Sequence, residues 1–308
     1  MTIQELTRAA CLASLLSLAS GCRSNPYSDR PGFESPEAAV GAVVSALRAE
    51  EIDQVQTILG PASADLLDSG DEIVDQSGRA DFLKLYDERH SVELAGPDDA
   101  ILYIGDIQWP FPIPMVRSSG TWFLDTEEGR EELLDRRVGR NELNTVKVCL
   151  ALVDAQNEYA SRDRDGDGIL EYAQAIRSSS GQRDGLYWPT TEDGRLSPIG
   201  ELLAAAGEKG DLAAKADSGY HGYRFRVLTS QGQHATGGAY DYRAGAHMIG
   251  GFGVVAYPLR YGDSGVVSFL VSHHGVVYET DLGPETETLA SGMTAFDPDS
   301  HWTPTPID

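Results

Sequence analysis

Residues 141–174, NELNTVKVCLALVDAQNEYASRDRDGDGILEYAQ, contain a change of pattern on which the rest of the chain turns. Leu143, Val146, Leu150, Val153 and Ala160 recur at helical spacing, and Asn157 is the one polar break in the stripe. Cys149 lies beside that stripe. Val148, Ala151, Leu152 and Ala155 fill much of the other side, so the middle of the helix is expected to be covered on most faces. Asn141 is placed as the N-cap, because its side chain can accept a bond from an unpaired amide of the first turn. At Ser161 the apolar residues stop and the charges begin.

The charged half reads as a twelve-residue calcium loop. Asp163, Asp165 and Asp167 fall at the first, third and fifth positions, and Gly168 falls at the sixth, where the chain must turn sharply. Ile169 would offer its backbone carbonyl, and Glu171 would act directly or through water. The twelfth position, where a bidentate Glu is expected, holds Gln174. Three close carboxylates repel one another without a cation, which argues for a metal, and the missing Glu argues that a bound ion would be weak. The competing reading is a solvated Asp/Gly turn that ends the helix, with Gly168 at a positive φ.

The chain has 308 residues and a net charge of −24. That length suits two ordinary domains or one large one. No run of Lys and Arg could neutralise phosphates, so nucleic acid is excluded as a partner. Residues 1–22, MTIQELTRAACLASLLSLASGC, have the apolar core and small-residue end of a secretory signal. The ending Leu18-Ala19-Ser20-Gly21-Cys22 resembles a bacterial lipobox, in which Cys22 becomes the lipid-carrying N-terminus. Ala19 stands where Leu is usual, and Glu5 opposes Arg8 in the leading segment. The competing reading is an ordinary cleaved signal with an incidental cysteine. Arg23 after the cysteine, in lipoproteins of the enteric type, implies the outer membrane. The chain is therefore expected in the cell envelope, facing the periplasm and held to the membrane through Cys22. Cys149 is then the only thiol of the mature chain, and its place in an apolar helix suits a small buried hydrophobe.

Residues 23–34 read as a tether, 35–140 as an N-terminal α+β domain, and 141–308 as the central helix, acidic loop and a C-terminal sheet domain. In the first domain, Ser35-Pro36 opens a helix. Ile52–Leu59 forms a second, and a third runs from about Arg79 to Arg89. Short strands follow at Val92–Ala95, Ile101–Ile104, Ile113–Val116 and Thr121–Leu124. Trp109-Pro110-Phe111-Pro112-Ile113-Pro114 cannot form a regular ladder and reads as a packed, extended crossover, the competing reading being a peptide-like docking strip with aromatic anchors. Thr126–Val138 reads as a separate helix, with Glu127 and Glu128 in its first turn and Arg136 and Arg137 in its last. A polar stretch, 178–200, should pack through Leu186, Tyr187 and Trp188, and a short helix should cover Ile199–Ala206. From Tyr220 the period falls to two, and runs at Phe252–Tyr257, Val266–Val271 and Val276–Tyr278 imply an antiparallel meander. The tail from Asp297 reads as irregular. The fold class is α+β.

Several strings together, WPFPIPMV (109–116), RRVGRNEL (136–143), VDAQNEYASRDRDGDGILEYAQ (153–174), DGLYWP (184–189), YHGYRFRVL (220–228) and YGDSGVVSFLV (261–271), resemble the bacterial family catalogued as domain of unknown function 2950. The resemblance covers about Phe33 to Trp302. It implies an exported bacterial protein, often a lipoprotein, and implies no activity. More faintly, the long helix, loop and meander are similar to the globular part of pilin-like proteins, and the first half to cystatin-like or nuclear-transport-factor-like cones.

Other motifs carry less chemistry. Gly262-Asp263-Ser264-Gly265 contains the tetrapeptide found around a chymotrypsin-type serine, but Val266 follows where Gly would, and a hairpin turn accounts for it. His221, His234, His247, His273 and His274 share one half of the chain, with no spacing that brings them to one metal. Three functions remain open: a non-enzymatic envelope lipoprotein acting as a binding or assembly module with an envelope protein partner, a calcium-stabilised module, and a hydrolase with an unidentified site.

Overall fold

Ser35 and Pro36 start the first helix. The Ser35 hydroxyl accepts the Ala38 N–H at 3.1 Å, and Pro36 occupies a position whose amide would be unpaired anyway. The structure is a computed structural model, which describes residues 26–68, 72–164, 166–188, 196–199 and 220–306. The chain divides into two compact units, one ending at Glu132 and one starting at Leu133.

In the first unit, helix α1 (Pro36–Arg48) and α2 (Ile52–Leu59) are followed by a 3-10 turn and the single-turn α3 (Ala64–Leu67). Helix α4 runs over Glu72–Glu88. It starts well before Arg79 because Glu72 and Asp75 suit a helix N-terminus, although they carry no apolar signal. Strands β1 (His90–Leu94), β2 (Asp99–Ile104), β3 (Trp109–Pro110), β4 (Met115–Ser118) and β5 (Thr121–Leu124) form an antiparallel sheet. Its order is β1-β2-β4-β5, with β3 also paired to β2. Along β2, Ala100, Leu102 and Ile104 are buried while their neighbours are more exposed. That alternation leaves one face for the helices, and Val43, Val55, Ile58 and Phe82 pack with Leu102, Met115 and Leu124. An apolar cavity of about 30 Å³ remains between Val40, Phe82, Phe111 and Met115.

The segment leading into α1 is docked. The Tyr27 hydroxyl donates to Asp125 at 2.5 Å, and its ring stacks on Phe123 at 5.1 Å. The Arg30 guanidinium is buried and donates to the carbonyls of Leu59 (2.8 Å) and Leu124 (3.2 Å), with Glu127 at 3.3 Å. Burial opposes its charge, but the hydrogen bonds it donates to Glu127 and Asp29 outweigh that and hold it protonated. Gly60, at φ +84°, makes room, because a Cβ there would lie 2.4 Å from the guanidinium carbon. Phe33 exchanges two backbone bonds with Trp122, at 2.9 and 2.8 Å. Residues 27–33, which the sequence assigns to a tether, are therefore bound to the first unit.

Helix α5 spans Thr126–Ala160 as one 35-residue helix and contributes to both units. The sequence reading of two helices with Asn141 as an N-cap is corrected. No proline intervenes, and Gly139 between the two expected helices costs only about 1 kcal/mol. Asn141 sits mid-helix, and its side chain donates instead to the Ser264 carbonyl at 2.9 Å. The buried stripe is also rotated from the one expected. It runs through Thr145, Val148, Cys149, Leu152, Val153, Ala155, Gln156 and Tyr159. Leu143 is 68% exposed, Asn157 is exposed, and Gln156 is the polar residue taken inside.

That stripe packs on the main sheet of the second unit. Its strands β8 (Tyr223–Leu228), β13 (Gly253–Pro258), β14 (Val267–Ser272), β15 (Val277–Asp281) and β17 (Thr303–Pro304) are all antiparallel, in the order β17-β15-β14-β13-β8. Between β8 and β13 lie the short β9 (Ser230–Gln231), β10 (Tyr240–Asp241), β11 (Arg243–Ala244) and β12 (His247–Met248). The short parallel pair β6 (Ala175–Arg177) and β7 (Gly185–Tyr187) precedes them, and β16 (Ala295–Phe296) pairs β9. All six residues of β13 are buried. Val254 and Ala256 face α5. Val255 and Tyr257 belong to a second core with Leu270, Phe296 and Ala290 of α6 (Thr286–Gly292). Cover on both faces turns an alternating strand into a continuous apolar run. The meander is as expected, but the tail is not irregular throughout, since Thr303–Pro304 adds an edge strand beside β15. Of the helix expected over 199–206, only Ile199 falls within the described residues, and it is buried.

Candidate functional site

The acidic loop leaves α5 at Ser161 and is tightly built. Each Asp163 carboxylate oxygen accepts one amide, from Gly166 (2.6 Å) and Gly168 (2.9 Å). Both glycines have positive φ, +85° and +91°, so the chain wraps around this carboxylate. Asp167 accepts the Ile169 N–H at 2.8 Å. Between them Arg164 turns inward. It donates to the carbonyls of Glu158 and Tyr159, and its guanidinium lies 5.5 Å from the Tyr159 ring and 5.7 Å from that of Trp188. The loop is thus fastened to the end of the helix by a cation–π contact.

Its exit is fastened as well. Fully buried Gln156 donates to the Ala173 carbonyl (2.8 Å) and accepts the Ala173 N–H (2.9 Å), which satisfies both ends of its amide. Glu171 accepts the Met248 N–H at 3.0 Å, Tyr172 donates its N–H to the Met248 carbonyl at 2.8 Å, and Gln174 donates to the Ala246 carbonyl at 2.6 Å. The β11–β12 hairpin therefore closes one side of the loop. His247 on that hairpin lies with Nδ1 3.3 Å from Asp167 and 3.5 Å from Glu171. Neither approach has hydrogen-bond geometry, and Nδ1 is a buried atom without a hydrogen-bond partner.

Of the calcium-loop positions, Asp163, Asp167 and Glu171 line this rim. Ile169 and Leu170 are exposed, and Asp165 lies outside the described residues. Among the described residues no three Asp, Glu, His or Cys side chains form a metal-holding group. Sequence reasoning missed three members of this site. Gln156 was hidden by an assumed stripe through Asn157. Arg164 looked like one more solvated charge, and only its neighbours Tyr159 and Trp188 signal otherwise. His247 reaches the loop through a hairpin far along the chain, which no local pattern reveals.

The other motifs are structural. Ser264 donates its hydroxyl to the Arg260 carbonyl (3.1 Å) and accepts the Arg260 N–H (3.0 Å) inside the turn from β13 to β14. Glu142 of α5 accepts the amides of Val266 and Val267, and Arg137 pairs with Asp263. Cys149 is fully buried, and burial pushes its thiol up to about 12. His234 pairs with Asp297, and His301 with Asp299. His273 and His274 fall in the turn after β14, with rings 4.2 Å apart. Cys22 lies outside the described residues, and among those residues no helix is long and apolar enough to cross a membrane.

The fold and site together define an α+β protein of two compact units whose long helix ends in a fastened acidic loop. The chain belongs to the family described as "Protein of unknown function (DUF2950)", whose model matches residues 30–305. No curated protein and no solved structure matches it.

Proposed function

We propose that this is an exported envelope lipoprotein, anchored through Cys22, that serves as a non-enzymatic binding or assembly module. The observation that carries the reading is the leader 1–22, an apolar stretch closed by Leu-Ala-Ser-Gly-Cys. The placement of the candidate nucleophiles supports it. The Cys149 thiol is enclosed in the α5 stripe, and the Ser264 hydroxyl is engaged by Arg260. Growth with an alkyne fatty acid should label the protein, and Cys22→Ser should abolish the label. Equal labelling of the variant, or none of the wild type, would reject the anchor.

A second reading, compatible with the first, rests on the glycine-wrapped Asp163 carboxylate. The loop Asp163, Asp165, Asp167, Ile169 and Glu171 takes calcium, which fixes the exit of α5. Millimolar calcium should raise Tm in the wild type and leave Asp165→Ala unmoved. The same Tm with calcium and with a chelator would remove this reading.

A further inference from the structure

The lipobox ends at Cys22, and the first unit begins to hold the chain at Tyr27, through its bond to Asp125 and its stack on Phe123. Buried Arg30 and the Phe33–Trp122 bridge then secure the next six residues. A tether reaching to residue 34 would let the body move well away from the bilayer. The docked segment removes most of that length. Only residues 23–26 separate the anchor from Tyr27, and five Cα–Cα steps span at most roughly 17 Å.

We propose that in the acylated protein the docked segment 27–33 holds the first unit against the lipid headgroups, so that the surface around Ser28 is a membrane-apposed face. The inference rests on the lipoprotein reading and adds to it where the body sits. The face carries the carboxylates of Asp29 and Glu127, 44% and 57% exposed at their side chains, which do not attract anionic lipid. The short tether, not the attraction of the surface, keeps it there. Any partner this face meets is consequently another molecule of the same membrane surface.

The test uses the acylated full chain in phosphatidylcholine vesicles containing a headgroup-nitroxide lipid. Buried Cys149 and acylated Cys22 leave a single introduced thiol to label, at Ser28→Cys, an exposed position. A fluorophore there should be quenched. Inserting about 20 Gly/Ser residues between Asn25 and Pro26 lengthens the tether by a coil of about 25 Å r.m.s., and should cause loss of the quenching. Equal signals from the two forms, both floating with vesicles and both acylated by mass, would overturn the apposition while leaving the anchor intact. Absence of an acyl chain would overturn the anchor, and the apposition with it.

Discussion

Arg30 and Gly60 form a pair that only the structure reveals. A guanidinium in a small pocket bonds the carbonyl that ends α2 and the one that ends β5, and it needs a residue without a Cβ beside it. Gly60→Ala places a methyl group against Arg30 at a positive φ. Strain and displacement together should lower stability by about 2 kcal/mol, read as a shift in the urea midpoint. A loss under about 0.5 kcal/mol would mean that Arg30 is not seated there. Gly60 caps the end of α2, but no local pattern shows what a glycine there is making room for. His273 is a second case. Burial first, and the neighbouring His274 second, hold its protonation below the ordinary histidine range. The folded value lies below the unfolded one of about 6.5. The stability contributed by neutral His273 is therefore intact above that pH and is lost as pH falls below it, through the lower folded value. The wild type should lose more stability between pH 7.5 and 5.5 than His273→Phe, which keeps an aromatic ring beside Tyr242 and Phe252. Parallel losses would show that His273 does not govern that window.

At the scale of elements, α5 was legible in kind and misread in extent and phase. Its apolar density announced a buried helix. Its length was lost because charged residues 127–140 look like a separate surface helix, and its phase because Leu143 outranks Thr145 on any apolarity count. The structure buries Thr145 and Gln156 by giving them bonds, to the Asn141 carbonyl and to Ala173, and leaves Leu143 in solvent. Two substitutions separate the alternatives. Leu152→Ala should cost about 3 kcal/mol, as a large-to-small change in a packed core. Leu143→Ala should stay within about 0.5 kcal/mol. Equal effects would restore the sequence's stripe. The turn after β13 makes a similar point. GDSG was read as a turn, and it is one, but Gly265 is fixed by the Tyr223 ring, whose hydroxyl oxygen would lie 2.1 Å from an added Cβ. Gly265→Ala should lower Tm by several degrees, corresponding to about 2 kcal/mol of overpacking. An unchanged Tm would show that the ring is free to yield.

At the scale of the molecule, the class and the C-terminal meander followed from periodicity, because strands that alternate or run fully apolar declare their burial. What could not be read was contact between distant segments: the 27–33 segment against β5, the 243–248 hairpin against the acidic loop, and the tail strand beside β15. Each joins residues far apart in the chain, in part through backbone groups that all sequences share. The acidic loop illustrates the limit. Its aspartates were legible as a set, but their roles divide between wrapping the turn and facing His247. The functional account depends on what happens to the chain before any of this is exposed to solvent. Intact mass spectrometry of the protein extracted from the membrane fraction tests it most directly. The account predicts a chain beginning at Cys22 and carrying acyl groups on that residue. A chain beginning elsewhere, or one with an unmodified Cys22, would contradict it.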